Sequence, residues 1–192
     1  MMPDLDKLPS PSDLNEHARP KAPRLGGASN ARHAGGRRLT MIHRMHLQDL
    51  NQVRELVNRI DQDSGAANML VQAIDDLALI KNLRNFGALC GRECNNLLFH
   101  HGAEENHMFP AIEAIGGDGL RAVVAKLRQE HEVVHALLEA LHEQAVITYN
   151  QPTSEHYTVL REIFNRLDTA IRSHFGYEET ELEEVLGQHA IL

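Results

Sequence analysis

"HHGAEENHMFP", residues 100–110, places three histidines and two glutamates within eight positions and then runs into Met108, Phe109 and Pro110. Around it Cys90, Cys94, Leu97, Leu98, Met108 and Ile112 fall near one face of a helix expected from about Phe86 to Ile115. The polar groups therefore interrupt what otherwise reads as a core helix. A neutral histidine can be satisfied in a core, but a buried carboxylate needs a charge partner or a metal.

The pattern recurs. His100-His101-Gly102-Ala103-Glu104-Glu105 matches His174-Phe175-Gly176-Tyr177-Glu178-Glu179, both H-x-G-x-E-E, with Met108 or Leu182 three residues further on. Side chains at i and i+4 share a helix face, so each copy can present one imidazole and one carboxylate to the same point. Glycine inside a helix costs about 1 kcal/mol relative to alanine, and its return at the same offset suggests close approach or common ancestry of the two motifs.

The remaining periodicities supply the other helices. Leu39, Ile42, His46, Leu50, Val53, Val57 and Ile60 step by threes and fours and predict a helix ending at Asp61-Gln62-Asp63-Ser64-Gly65. Leu70, Ile74, Leu77 and Ile80 form a shorter periodic stretch, either a separate helix or an extension. The quoted segment stops at Gly116-Gly117-Asp118-Gly119, and Leu120, Val124, Leu127, His131, Val134, Leu138 and Leu141 then mark a third helix. Asn150-Gln151-Pro152-Thr153-Ser154 ends it, and Thr or Ser before Glu155 caps a fourth carrying Leu160, Phe164, Leu167, Ile171, His174, Glu178, Leu182 and Val185. The expected fold class is all-α, an antiparallel four-helix bundle. His131 and His135 lie a turn apart on the third apolar stripe, while His174 and Glu178 stand where Leu or Ile is expected.

Residues 1–37 read differently. Five of the seven prolines (Pro3, Pro9, Pro11, Pro20, Pro23) and the pairs Gly26-Gly27 and Gly35-Gly36 lie there, so a flexible N-terminal tail without a core of its own is expected, followed by a folded domain over 38–192. The net charge of -8 hides an asymmetry: residues 1–38 hold seven Lys or Arg against four Asp or Glu, the remainder twelve against twenty-three. The acidic body argues against a nucleic-acid surface, although Arg24, Arg32, Arg37 and Arg38 of the tail are available to an anionic partner. No apolar h-region opens the chain and no stretch approaches eighteen uninterrupted apolar residues, which points to a soluble, unexported protein and away from membranes. Two cysteines spaced by four do not make a secreted disulfide framework, so a cytoplasmic setting is expected. Cys90 and Cys94 read first as small buried hydrophobes, with an oxidation-responsive thiol pair as the alternative.

A histidine on the first helix, HxxxE on the second, HxxxH on the third and HxxxE or HxxxxE on the fourth resemble the hemerythrin-like (HHE cation-binding) domain, over about residues 39–187. "HHxxEExxMFP" is close to that family's second-helix pattern. The resemblance implies a non-haem di-iron centre inside the bundle, with His43, His100, Glu104, His131, His135, His174 and Glu178 or Glu179 as ligands and carboxylates bridging two irons. On the first helix His46 sits nearer the centre of the apolar face, while the family's offset to Asp49-Leu50 favours His43. On the second, the helical wheel favours His101 and Glu105, while the repeat and the offset to Met-Phe-Pro favour His100 and Glu104. The neighbours are candidates for orienting the ligands. A ferritin-like pattern, Glu104-x-x-His107 with Glu139-x-x-His142, fits formally but turns His107 away from the apolar face. His17, His33, His107, His142, His156 and His189 are read as ordinary histidines of a chain that has thirteen, without a ligand role.

Five imidazoles and two carboxylates suit iron, and seven side chains exceed the four ligands of a tetrahedral zinc site. The resemblance implies a small partner, O2, NO or peroxide, that the centre binds or reduces. The alternatives are a reversible O2 or NO sensor or carrier without turnover, and an iron-homeostasis protein. Nothing in the sequence names a proton donor, so enzymatic turnover is not read from it.

Overall fold

The computed structural model describes residues 3–24, 34–67, 96–189 and 191. Every regular element among them is helical. Helix α1 is Ala34–Ala67, α2 comprises residues 96–103, a π-helical turn Glu104–Met108 and Phe109–Ile115, α3 is Asp118–Asn150 and α4 is Ser154–His189. Two 3-10 turns, Pro11–Leu14 and Glu16–Ala18, precede them. The helices pack as a bundle, with α4 against both α1 and α3 and the end of α2 against α3.

Helix α1 passes through Asp61-Gln62-Asp63-Ser64-Gly65, where the sequence suggested an end. Those residues are weak helix formers, but none blocks the backbone ladder as proline does, and one glycine costs only about 1 kcal/mol. The stretch Leu70 to Ile80, the expected start at Phe86 and both cysteines lie outside the described residues. The expected cap is present: Thr153 Oγ1 accepts the His156 N–H at 3.2 Å, satisfying a donor that the first turn of α4 leaves free. Gly116 and Gly117, both at φ +93°, turn α2 into α3 in a conformation that side chains oppose.

The π turn follows from Met-Phe-Pro. Pro110 has no N–H, and its ring crowds the carbonyl four residues back in an α-helix. Widening the preceding turn relieves that crowding, and the Phe109 N–H reaches back five residues to the Glu104 carbonyl. The extra residue lets His100, His101 and Glu104 face inward while Met108, Phe109 and Ile112 still return to the core.

Two apolar clusters result. One joins Leu50, Val53, Leu97, Val134, Leu137, Phe164 and Ile171, among others, and the second joins Leu39, Met108, Phe109, Ile112, Leu127 and Leu182. Between them along every helix lies a polar layer: His43 and His46 on α1, His100, His101 and Glu104 on α2, His131 on α3, His174 and Glu178 on α4, all buried.

The N-terminal segment departs from the expectation of a tail apart from the core. Leu14 is 0 % exposed within the first cluster, with Leu5 and Leu8 packed against it. Arg166 Nη1 donates to the Leu5 carbonyl at 2.8 Å, Tyr177 Oη to the Pro20 carbonyl at 2.7 Å, and the Ala22 N–H to Glu181 Oε2 at 2.7 Å. The segment's prolines allow only short 3-10 turns, so backbone groups outside them are free to pair with side chains of the bundle.

Close approach does not explain the repeated glycines, because a Cβ on Gly102 or Gly176 meets nothing within 4 Å. Gly36 is the tight position: its Cβ would lie 2.9 Å from the Glu183 Cα. Gly102→Ala and Gly176→Ala are each expected to raise stability by about 1 kcal/mol, and Gly36→Ala to lower it by forcing α1 from α4. Thermal unfolding of the three variants checks the contrast, and a loss at Gly102 equal to that at Gly36 would refute it.

Candidate metal centre

Seven polar side chains meet in the buried layer. His43, His100, Glu104 and Glu178 each offer one atom to a group whose members all lie within 4.8 Å of one another, and His101, Glu104, His131 and His174 form a second such group. Glu104 belongs to both. It stands at the π turn, where the widened backbone brings it between the groups, with Oε1 3.0 Å from His100 Nε2 and Oε2 3.4 Å from His131 Nε2. His43 Nε2 lies 3.1 Å from His100 Nε2 and 3.3 Å from Glu178 Oε2.

The approaches to the two carboxylates are not hydrogen bonds. His101 Nε2, His131 Nε2, His174 Nε2 and both carboxylate oxygens of Glu104 and Glu178 are buried without a hydrogen-bond partner. Leaving one such group unmade costs about 1–3 kcal/mol, more if it is charged. Seven orphaned atoms aimed at one another make sense as a donor set waiting for cations, and imidazole with carboxylate is the chemistry of a borderline divalent metal.

A second layer orients the first. The far nitrogens of the imidazoles are held from behind: His43 Nδ1 by Glu179 Oε1 at 2.8 Å, His131 Nδ1 by Glu105 Oε1 at 2.9 Å, and His174 Nδ1 by Glu130 Oε2 at 3.2 Å. His101 Nδ1 and His135 Nε2 share a hydrogen bond of 2.9 Å. Arg128 Nε donates to Glu105 Oε2 at 2.9 Å, fixing that carboxylate in turn. Such carboxylates set the tautomer and leave Nε2 free for a metal. Rings are also stacked, His43 on Phe175 with centroids 3.8 Å apart and His101 on His131 at 4.0 Å.

Electrostatics prepare the same state. Burial, reinforced by neighbouring imidazoles, holds His101 well below the ordinary value and takes His131 to about 2. Burial lowers His100 to about 3 against the opposing charge of Glu178. These rings are neutral at pH 7, as ligation requires. Burial likewise lowers His135. Burial lowers His43, but the Glu178 carboxylate 3.3 Å from Nε2 and the Glu179 carboxylate hydrogen-bonded to Nδ1 outweigh it and raise the ring above its ordinary value. Burial and then the Glu178 charge push Glu104 well up, whereas His43, His174 and His100 outweigh burial at Glu178 and hold it down. Two buried carboxylates thus share a site that only one can occupy as an anion without a cation.

Of the residues singled out from sequence, His43, His100, Glu104, His131, His174 and Glu178 come together. His135 and Glu179 lie outside both groups and hold His101 and His43 from behind. His101, favoured by the helical wheel, joins a group, while Glu105 supports His131 and His46 stacks on His100 at 5.0 Å. His107 and His142 are exposed, so the Glu-x-x-His pairs do not face the layer. Glu130 carries no sequence signal, since an acidic residue beside His131 reads as surface.

The family model of the hemerythrin HHE cation-binding domain matches residues 34–184. The chain belongs to the hemerythrin family. Comparison with curated proteins and with solved structures gave no match. The hemerythrin domain contains every member of the two histidine–glutamate groups and excludes the packed N-terminal segment 3–24. Among the described residues no helix of this hemerythrin-family chain is long and apolar enough to cross a membrane.

Proposed function

We propose that this chain folds as an antiparallel four-helix bundle that holds two non-haem irons and binds or reduces a small oxidant, O2, NO or peroxide. The alternation of the two apolar clusters supports the antiparallel order. Along the sequence α1 leads from Leu39 of one cluster to Leu50 of the other, α2 back from Leu97 to Met108, α3 from Leu127 to Val134, and α4 from Ile171 to Leu182. The observation that carries the centre is the sharing of Glu104 by two four-residue groups. In this reading His43, His100 and Glu178 hold one iron, His101, His131 and His174 hold the other, and Glu104 bridges. His135 and Glu179 orient ligands.

Held by these residues in its reduced form, an iron pair would supply electrons or an open coordination position for the oxidant. The chain's own residues select what arrives. A cavity of about 430 Å3, lined by Leu39, Ile42, Ala103, Met108, Ala111 and Ile191 among others, reaches His100 and Glu104. Apolar walls favour neutral molecules over anions, whose desolvation they do not repay. The imidazoles are neutral, so Glu104 and Glu178 offset two of the four positive charges that two dications would bring.

Anaerobic loading with Fe(II) is expected to give about two irons per chain, since seven donors fill most of two octahedral spheres. Mixing the reduced protein with O2, NO or hydrogen peroxide should change the absorption of the iron centre with at least one of them. Continued consumption of the oxidant in the presence of a reductant marks an enzyme, and saturable binding without consumption marks a carrier or sensor. Uptake of one zinc per chain and no iron would falsify the di-iron reading.

A further inference from the structure

We infer that Arg19 is a positioning residue for the metal centre: it holds the N-terminal segment to buried Glu130, Glu130 fixes His174, and docking of the segment is thereby coupled to metal retention. This rests on the metal-centre reading above. Arg19 Nε donates to Glu130 Oε1 at 2.8 Å and Nη2 to Oε2 at 3.0 Å, a two-pronged pair that fixes the plane of the carboxylate. Glu130 is 0 % exposed, and the same Oε2 accepts His174 Nδ1–H at 3.2 Å. Lys126 Nζ stands 3.9 Å from Oε1, too far to replace the guanidinium's hydrogen bonds.

The other described supports come from within the helical domain: Glu179 for His43, Glu105 with Arg128 for His131, and His135 for His101. The support of His174 alone among them is completed by a residue outside the hemerythrin match. The surrounding contacts keep Arg19 in place. Its guanidinium lies 4.7 Å from the Tyr177 ring centroid, Tyr177 Oη donates to the Pro20 carbonyl, the Ala22 N–H to Glu181, and Ser173 hydrogen-bonds Glu16. Residues 16–22 thus grip α4 over 173–181, the span that carries His174 and Glu178. If the segment lifts, Glu130 loses both guanidinium hydrogen bonds and keeps only Lys126 at 3.9 Å, and a buried carboxylate left so rotates or draws in water. His174 then loses its fixed direction. Because coupling is reciprocal, metal that fixes His174 must also hold the segment down.

Chelator-driven release of Fe(II) from the full chain tests this, with Arg19→Ala, Arg19→Lys, Glu130→Gln and the double variant Arg19→Ala/Glu130→Gln. Leu14→Ala, which removes packing of the segment but leaves the Arg19–Glu130 pair intact, is expected to speed release less than Arg19→Ala. Arg19→Ala is expected to speed release of one of the two ions about tenfold, within the usual range of coupling between sites. Arg19→Lys should fall between it and wild type. On the Glu130→Gln background the Arg19 substitution should have no further effect, because a neutral amide needs no cation. Trypsin cleavage after Lys21 in the wild-type chain should slow about tenfold on metal loading by the same reciprocity. A wild type that takes up no metal overturns the centre and the relay together. A wild type that loads normally while Arg19→Ala releases both ions at the wild-type rate, or no faster than Leu14→Ala, overturns the relay alone.

Discussion

Replacing Glu104 by glutamine is expected to empty both halves of the metal centre, lowering the metal content from about two ions per chain to near zero, because a neutral amide is a poor bridge between two dications. His43→Ala and His131→Ala each remove a ligand from one group and should each cost about one ion. The contrast follows from Glu104 being the member common to both groups. Loaded protein should lose the stability that binding contributes, about 3–4 kcal/mol for each ion when metal is present at 100 to 1,000 times its dissociation constant. Without metal the sign reverses. Burial and the Glu178 charge oppose ionisation of Glu104, so an uncharged isostere removes a repulsion and the metal-free variant should unfold at or above the wild-type temperature. Metal analysis with paired thermal scans, loaded and chelated, checks both halves. A Glu104→Gln chain that retains one tightly held ion would show that Glu104 serves one site only.

The helical periodicity and the histidine and glutamate intruders were legible because both depend on spacing along single helices. The repeat H-x-G-x-E-E pointed to His100, Glu104, His174 and Glu178, and those four do face one layer. What spacing could not resolve was phase. A helical wheel assumes 3.6 residues per turn, and the π turn at Glu104–Met108 breaks that assumption inside the quoted stretch. His100 and His101 both point inward there, where the wheel and the repeat each offered one of them. Pro110 was the available signal. The difference between His135 and His101 was out of reach for another reason: which of two hydrogen-bonded imidazoles stands in front depends on how α2 and α3 pack. The N-terminal segment misled through composition. Proline and glycine report that a chain forms no helix, and they are silent on whether it packs, which Leu14 and Arg19 decide through partners more than a hundred residues away.

Acid should unfold the metal-free protein well before its carboxylates titrate. His100, His101 and His131 keep their folded pKa values far below the ordinary 6.5. As pH falls through 6.5 the unfolded chain therefore takes up three protons that the folded chain refuses. Glu104 works the other way, since folded it already holds a proton that the unfolded carboxylate accepts only near 4.5. His43, raised in the folded state, is protonated in both states below 6.5; its contribution is present there and fades only as pH rises through its folded value. His135, also lowered by burial, adds to the three, so between 6.5 and 4.5 the unfolded chain binds at least two more protons and stability falls by at least about 3 kcal/mol per pH unit. Against a total of about 5–15 kcal/mol, two pH units bring the metal-free protein close to its midpoint. Glu178 and Glu179, both lowered, add their own loss only below about 4.5. Far-ultraviolet circular dichroism of the chelated protein from pH 7 to 4 should follow this course, and His131→Gln, which deletes one of the refused protons, should lower the slope by about 1.4 kcal/mol per pH unit. A pH-independent unfolding temperature across that range would show that the three rings are not held neutral by burial. Metal-loaded protein should stay folded further into acid, because an ion bound at Nε2 occupies the lone pair that the proton seeks, and unfolding must then displace the ions before any of the three histidines can be charged.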